Sequence, residues 1–406
     1  MKRFVAVEKP PLISCLVGLL VLTGIGIPAI SQSQSGTSVV QPKPAKPRQP
    51  LVPVPSLAYE GVDEQLWGSS GGGGDRKALL AAINRSLRYL QTDAAIAAYR
   101  RYPIPGITRS RVQRSLTRFR QLVLTVPSAA ALQAAVQREF VFYQSTGKDG
   151  QGTVAFTGYF EPIHTASRVP TGEFRYPIYR LPPNFGSWKQ PHPTRLQLEG
   201  EDGLQFSQGK LRGLELAWLR DRLEAYLIQV QGSARLQLTD GTTMSIGYAG
   251  HTHYPYTSIG KELVQAGKIR QEDLTLPALI QYFAINPADL DVYLPRNQRF
   301  VFFAATGGGA ATGSLGVPVT PERSIATDKS IFPPGALALI QTPIPYPNAA
   351  GQLEQRFATR YVLDQDTGGA IKGAGRVDIF MGTGKQAGDR AGLINAPGKL
   401  YYLLLK

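Results

Sequence analysis

The densest group of reactive side chains lies near the C-terminus. It is the run Asp364-Gln365-Asp366-Thr367-Gly368-Gly369-Ala370-Ile371-Lys372-Gly373, followed by Arg376-Val377-Asp378. A strand at Tyr361–Leu363 is expected to lead into a glycine-rich turn, and a second short strand to carry Asp378. Asp366 and Asp378 are 12 residues apart, so that turn can bring them into one cleft. Two carboxylates held close raise the pKa of one, which is what a general acid at neutral pH needs. Spacing alone favours a plainer reading, in which aspartates before glycine cap turns. A phosphate loop is excluded, because Lys372 is not followed by Ser or Thr and the spacing is wrong.

Two further clusters have the residue types of a carbohydrate groove. One is Thr157-Gly158-Tyr159-Phe160-Glu161-Pro162; the other is Gln231-Gly232-Ser233-Ala234-Arg235, followed by Tyr254-Pro255-Tyr256. Aromatic faces stack on sugar C–H surfaces, and Gln and Ser hydrogen-bond hydroxyls. Taken singly, the tyrosines read as strand packing, and His164, His251 and His253 as surface or turn residues.

The elements that must position these residues come in two styles. Leu79, Leu80, Ile83, Leu87 and Leu90 recur at helical spacing and predict a helix over 75–101, with Asp75 as its cap and Pro103 and Pro105 beyond its end. Further helices are expected over 109–124 and 128–143, the last capped by Ser128. After Gly147 short alternating runs between Gly and Pro predict strands. Helical intervals are expected near 213–223, 258–266 and 276–283. Strands are expected at 300–304, 336–342, 360–363 and 400–405.

Composition narrows the chemistry. The 406 residues are 43% hydrophobic, enough for a core and for about two domains. One Cys excludes a disulfide scaffold and a cysteine zinc module. Four His without a His-Glu-x-x-His pattern argue against a histidine metal centre, so neither metal nor cofactor is expected. The net charge of +15 favours a polyanionic neighbour. Lys2, Arg3 and Lys9 precede an apolar run from Leu12 to Ile27, and small residues follow, which predicts a signal peptide over 1–31. An uncleaved anchor is the alternative. Cys15 stands at the start of the apolar run, where a lipidation site should follow it, so no lipid anchor is expected. Export makes nucleic acid a poor partner and an envelope polymer a good one. Residues 32–74, rich in Pro and Gly and basic, read as a linker.

The clusters also occur in a telling order: Thr157 to Pro162, Tyr176-Pro177-Ile178-Tyr179-Arg180, Gln231-Gly232-Ser233, Ser258-Ile259-Gly260, Arg323-Ser324-Ile325-Ala326-Thr327-Asp328, then the Asp366 to Asp378 run. In this the chain resembles the membrane-bound lytic murein transglycosylase A family over roughly 75–406, its C-terminal part resembling the three-aspartate domain found there. The resemblance implies a mainly β fold with N-terminal helices: a double-psi β-barrel from 75–162 and 297–406, an inserted smaller β-barrel at 163–296, and a groove between them. It implies Asp378 as the catalytic acid, Asp366 as a second aspartate of the set, and Asp328 or Asp389 as the third. Thr157, Tyr159, Glu161, Gln231, Gly232, Ser233, Tyr256, Asp328 and Gly369 are expected to hold substrate. Two departures stand out: the stretch up to Asp378 is one residue longer, predicting a bulge near Gly375, and Ala234 replaces a glycine and is expected to crowd the groove.

The reaction implied is cleavage of the β-1,4 bond between N-acetylmuramic acid and N-acetylglucosamine in peptidoglycan, without water, leaving 1,6-anhydromuramyl ends. The partners implied are glycan strands and other cell-wall enzymes, and the place is the periplasm, in association with the outer membrane or wall. The rival readings are a water-using glycoside hydrolase, with Glu161 or Asp366 activating water, and a non-catalytic wall-binding or wall-loosening module.

Overall fold

The computed structural model describes residues 49–54, 61–68, 74–205 and 209–406. The expected signal peptide lies outside the described residues, as does the linker up to position 48. The linker does not run on to position 74 as an open tether. β1 (Leu51–Val54) is an edge strand with Leu51 fully buried, and Asp63 is buried beside a turn of 3-10 helix at Glu64–Leu66. No helix among the described residues is long and apolar enough to cross a membrane.

Four helices follow: α1 (Arg76–Tyr89), α2 (Asp93–Arg100), α3 (Arg109–Thr125) and α4 (Ala129–Glu139). The single helix expected over 75–101 is two, because the Thr92 side chain accepts from Ala95 N–H (3.2 Å) and starts a new one. Asp75 does not cap α1 with its side chain; its carboxylate is bound to Arg323 instead. Ser128 caps α4 as expected, but α4 ends at Glu139 and the chain continues as β2 (Phe140–Ser145), then β3 (Val154–Glu161).

The middle of the chain supplies β4 (Ile163–Ala166), β5 (Tyr176–Tyr179), α5 (Arg195–Glu199), β6 (Glu215–Leu219), α6 (Arg222–Gln231), β7 (Ser233–Leu238), β8 (Thr243–His251), α7 (Ile259–Gln265), α8 (Leu276–Ile285), α9 (Asp289–Tyr293) and β9 (Val301–Ala305). The helix expected over 213–223 is largely β6. A short apolar run has no decisive period, and pairing with β5 settles it. The helix begins only after Asp221, which accepts from Leu223 N–H (2.7 Å) and Glu224 N–H (3.1 Å). The strands form a sheet in the order β4-β7-β8-β9 and a separate β5-β6 pair over a core of Ile178, Ala217, Leu236, Ile246 and Phe303. Its last strand, β9, lies beyond position 296, where the insert was expected to end.

The C-terminal part adds β10 (Ser324–Ala326), β11 (Leu337–Pro347), β12 (Leu353–Asp366), β13 (Arg376–Thr383), α10 (Lys385–Ala391) and β14 (Asn395–Leu405). Here the ends of the chain meet. The order β14-β11-β12-β10-β13-β3 closes through β3–β14 pairing into a six-stranded barrel, with β2 and β1 extending from β14. β10–β12 and β13–β3 are parallel; the other barrel pairs are antiparallel. Closure leaves no barrel edge open, and Phe156, Ile325, Val362, Val377, Ile379 and Tyr402 fill the core. The barrel and the second sheet are joined by Arg235 of β7 on Glu161 of β3 (2.9 Å) and by Phe160 N–H on Gln231 Oε1 (3.1 Å).

Candidate active site

One row of paired residues crosses the barrel: Asp366 of β12 opposite Ala326 of β10, Ala326 opposite Asp378 of β13, and Asp378 opposite Thr157 of β3. Residues paired across strands present their side chains to the same face. The two aspartates are therefore two strands apart, about 10 Å between backbones, with only the methyl of Ala326 between them. The row depends on a bulge. Ile325 pairs with Asp364 and Ala326 with Asp366, so β12 takes two residues where β10 takes one. Such bulges re-aim side chains. Asp364 points inward, fully buried, accepting from Tyr402 Oη (2.6 Å) and Thr327 Oγ1 (2.7 Å) and paired with Lys329. The bulged residue, Gln365, is buried and donates to Ala82 O (2.8 Å) and Ser86 Oγ (2.9 Å) of α1. The helical layer thus holds the bulge in place.

The two aspartates of the row differ in their partners. Asp366 accepts from Tyr159 Oη (2.8 Å), Ser314 N–H (2.8 Å) and Thr367 N–H (2.8 Å). Burial raises its pKa, and those donors only partly offset the rise. Asp378 keeps 20% of its side chain exposed, and its Oδ1 is buried without a hydrogen-bond partner. Burial pushes the Asp378 carboxyl up to about 6; the Arg376 guanidinium, 3.7 Å from Oδ1, pulls it down and the Asp366 carboxylate pushes it up. A carboxyl raised in this way is suited both to donate and to accept a proton.

Arg376 donates to Thr157 Oγ1 (3.0 Å), which ties the start of β13 to β3 beside the acid. From the second part of the chain Tyr256 approaches. Burial raises its hydroxyl pKa, hydrogen bonds with Ser258 and Tyr226 oppose the rise, and Arg376 and Asp378 act on it electrostatically with opposite sign. A Cβ at Gly369 would lie 2.1 Å from Arg299 Nη1 and 3.4 Å from Tyr256 Cβ, so a side chain here would displace the Arg299 guanidinium from its present place.

The sequence-predicted residues thus divide. Asp378, Asp366, Thr157, Tyr159, Tyr256 and Gly369 come together. Asp328 sits beneath, buried, accepting from Ser330 and from Gly373 N–H (2.8 Å), so it fastens the glycine-rich loop instead of facing a ligand. Glu161, 1% exposed, is held by Arg235 and Thr383 (2.7 Å). Gln231 accepts from the Phe160 N–H, Gly232 ends α6 at φ 82°, and Ser233 is buried at the start of β7. Asp389 forms an exposed pair with Lys385. Ala234 is buried in the second core and crowds no groove; the bulge expected near Gly375 is a turn at Ala374–Gly375 that ends before β13. Sequence reading missed Ser314 and Arg299. The glycines at 307–309 and 313 were a usable signal for a loop that closes on Asp366. Arg299 had no local signal. Among the described residues no cluster of His, Cys, Asp or Glu could hold a metal ion.

Comparison with known proteins agrees with this geometry. Residues 155–304 match the family model described as the MltA specific insert domain, and residues 323–404 match the 3D domain. Membrane-bound lytic murein transglycosylase A of Escherichia coli (strain K12) is 33% identical over 263 residues, 64% of this chain and 68% of that protein. Its counterpart in Vibrio cholerae is 34% identical over 267 residues, 65% and 68% of the two chains. Among solved structures, E. coli MltA with bound chitohexaose superposes with a TM-score of 0.66 at 26% identity, covering 87% of this chain and 94% of that one. A membrane-bound lytic murein transglycosylase from Agrobacterium tumefaciens gives 0.65 at 25% identity, covering 82% and 93%. The barrel, the second sheet and the order of the motifs together have one explanation: the chain belongs to the membrane-bound lytic murein transglycosylase A family.

Proposed function

We propose that this protein cuts peptidoglycan glycan strands at the bond between N-acetylmuramic acid and N-acetylglucosamine, with Asp378 as its single acid and base. The chain is a lytic murein transglycosylase, an enzyme of the cell envelope whose substrate is glycan. The observation that carries the assignment of Asp378 is its partly exposed carboxyl, whose buried Oδ1 no hydrogen-bond donor reaches. As acid it protonates the leaving glycosidic oxygen. As base it then takes the proton of the muramyl C6 hydroxyl, which attacks C1 of its own sugar and closes the 1,6-anhydro ring. Such intramolecular attack has a high effective molarity and needs no protein nucleophile. Thr157, Tyr159, Tyr256 and the Gly369 loop line the surface on which the strand would lie.

A water-using hydrolase needs a second carboxylate free to act. Asp366 is occupied by three donors and Glu161 is buried in an ion pair, which speaks against that reading. A purely binding module would gain nothing from leaving a buried carboxyl oxygen without a hydrogen-bond donor. The barrel, built from both ends of the chain, would be the catalytic domain, and the second sheet with α5–α9 the insert. The site of action would be the periplasm. Mass analysis of digested peptidoglycan tests the reaction: anhydro ends are expected, and reducing ends would point to the hydrolase.

A further inference from the structure

Two arginines near Asp378 carry charge that the fold neutralises weakly: Arg376 has only Asp378 itself, and Arg299 has no carboxylate partner among the described residues. Arg376 uses Nη2 on Thr157 Oγ1 and lies 3.7 Å from Asp378; its Nε is buried without a partner, while 32% of the side chain stays exposed. Arg299, half-buried at the foot of β9, donates from Nε to Tyr254 O (2.8 Å). Among the described residues no carboxylate lies within ion-pair distance of it, and its Nη1 rests against the bare backbone of Gly369. Several other buried or half-buried arginines are matched more closely. Arg195, Arg222, Arg235, Arg323, Arg360 and Arg390 each reach a carboxylate. Burying a guanidinium unpaired is unfavourable, as the lowered pKa of Arg299 records. Arg299 and Arg376 both interact electrostatically with Tyr256, as Asp378 does.

We propose that Arg299 and Arg376 form a carboxylate-binding subsite that takes an acidic group carried by the glycan itself. The inference rests on the glycan-cutting reading above for the identity of the ligand. A muramyl glycan has carboxylates of two sources: the lactyl group of a strand stripped of peptide, and the stem peptide of an intact one. The planar guanidinium fork suits either. Binding also has a chemical consequence. The groups facing Asp378 are Arg376 on its own strand, Asp366 from β12, Tyr159 of β3 through Asp366, and Tyr256 from the segment before α7. Arg376 is the one cation among them. A substrate carboxylate on Arg376 offsets its pull, so the acid is protonated to a higher pH in the complex than in the free enzyme.

The test is binding by the full chain carrying Asp378→Asn, which should hold glycan without cutting it. The probes are chitohexaose, which has no carboxylate, a muramyl glycan of equal length stripped of peptide, and the same glycan with its stem peptides. Adding Arg299→Gln or Arg376→Gln is expected to weaken a carboxylate-bearing glycan about tenfold and chitohexaose less than about twofold; Arg299→Lys should recover part of the loss. A loss on the stripped glycan identifies the lactyl carboxylate, and a loss confined to the peptide-bearing glycan identifies the stem peptide. Equal weakening of all three probes, including a wall that collapses and binds none of them, overturns the proposal, as does no weakening at all. In the enzyme with Asp378 intact, the alkaline limb of kcat should lie at higher pH than that of kcat/KM. An enzyme that makes no anhydro product yet still prefers carboxylate glycan through Arg299 would refute the reaction and leave the subsite standing.

Discussion

The barrel contains two clusters of buried carboxylates, and they are built to opposite rules. In the first, Arg323 is fully buried and uses all five donors: Nε on Asp75, Nη1 on Asp63 and Tyr361 O, Nη2 on both aspartates. Burial would lower its pKa, but Asp63 and Asp75 outweigh that and raise it. Nearby, Glu322 accepts from Arg360 (2.9 Å), Arg390 (2.5 Å) and Tyr346 (2.8 Å) and stays ionised below the usual range despite its burial. In the second, Asp378 has one arginine too far for a hydrogen bond and one buried oxygen with no partner. Full pairing fixes a charge and fastens Asp63 and Asp75 to Arg323 just ahead of β10 and Asp63 to β12. Incomplete pairing leaves a proton mobile. On the function proposed above, the same residue type thus serves structure in one place and chemistry in the other, and the number of donors decides which.

Breaking each cluster should have a different signature. Asp378→Asn removes the proton and should lower anhydro-product formation by about 10³-fold or more, with glycan binding retained; product analysis measures both. Comparable turnover in the two proteins would remove Asp378 from the chemistry. Arg323→Ala strands Asp63 and Asp75 and should cost about 3–5 kcal/mol in unfolding free energy. Activity per folded molecule should be unchanged, which denaturant melts and kinetics on the same sample can check. A small loss would mean that the cluster is not what holds the N-terminal segment.

The paired and unpaired clusters also differ in the sign of a pH effect. The Asp378 pKa is raised from 3.8 to about 6 on folding. The wild-type protein is therefore favoured while the carboxyl is protonated and loses stability as pH rises from about 4 to about 6. Asp378→Asn should match it at about pH 4 and exceed it by roughly 1–3 kcal/mol above about pH 7. Thermal melts across that range read the difference directly, and a variant less stable at neutral pH would show that the carboxyl is held by a donor after all. The smallest effect is expected from Asp366→Asn. Burial is the larger cause of the raised Asp378 pKa and Asp366 a lesser one, so the alkaline limb of kcat/KM should move down by less than about one pH unit. An unmoved limb would leave burial alone responsible.

Much of this was readable along the chain, because it depends on near neighbours. Period and caps set α3 and α4, with Ser128 the clearest case. Glycines mark the loop between β12 and β13, and the order of the short motifs led to the family and to Asp378. Other features depend on partners remote in sequence. Glu215–Leu219 is a strand because β5 lies beside it, and Asp75 forgoes its capping place because Arg323, 248 positions away, offers two charged donors. Asp364, Asp366 and Asp378 look alike in the sequence. Only barrel closure, which sets Asp378 against Thr157 221 positions away, and a bulge pinned by Gln365 turn one inward, fasten the second and leave the third with a buried oxygen that no donor reaches. Local propensity and pattern fix what a segment can be, while burial and the count of donors around a side chain, which set its proton affinity, exist only once distant strands have met.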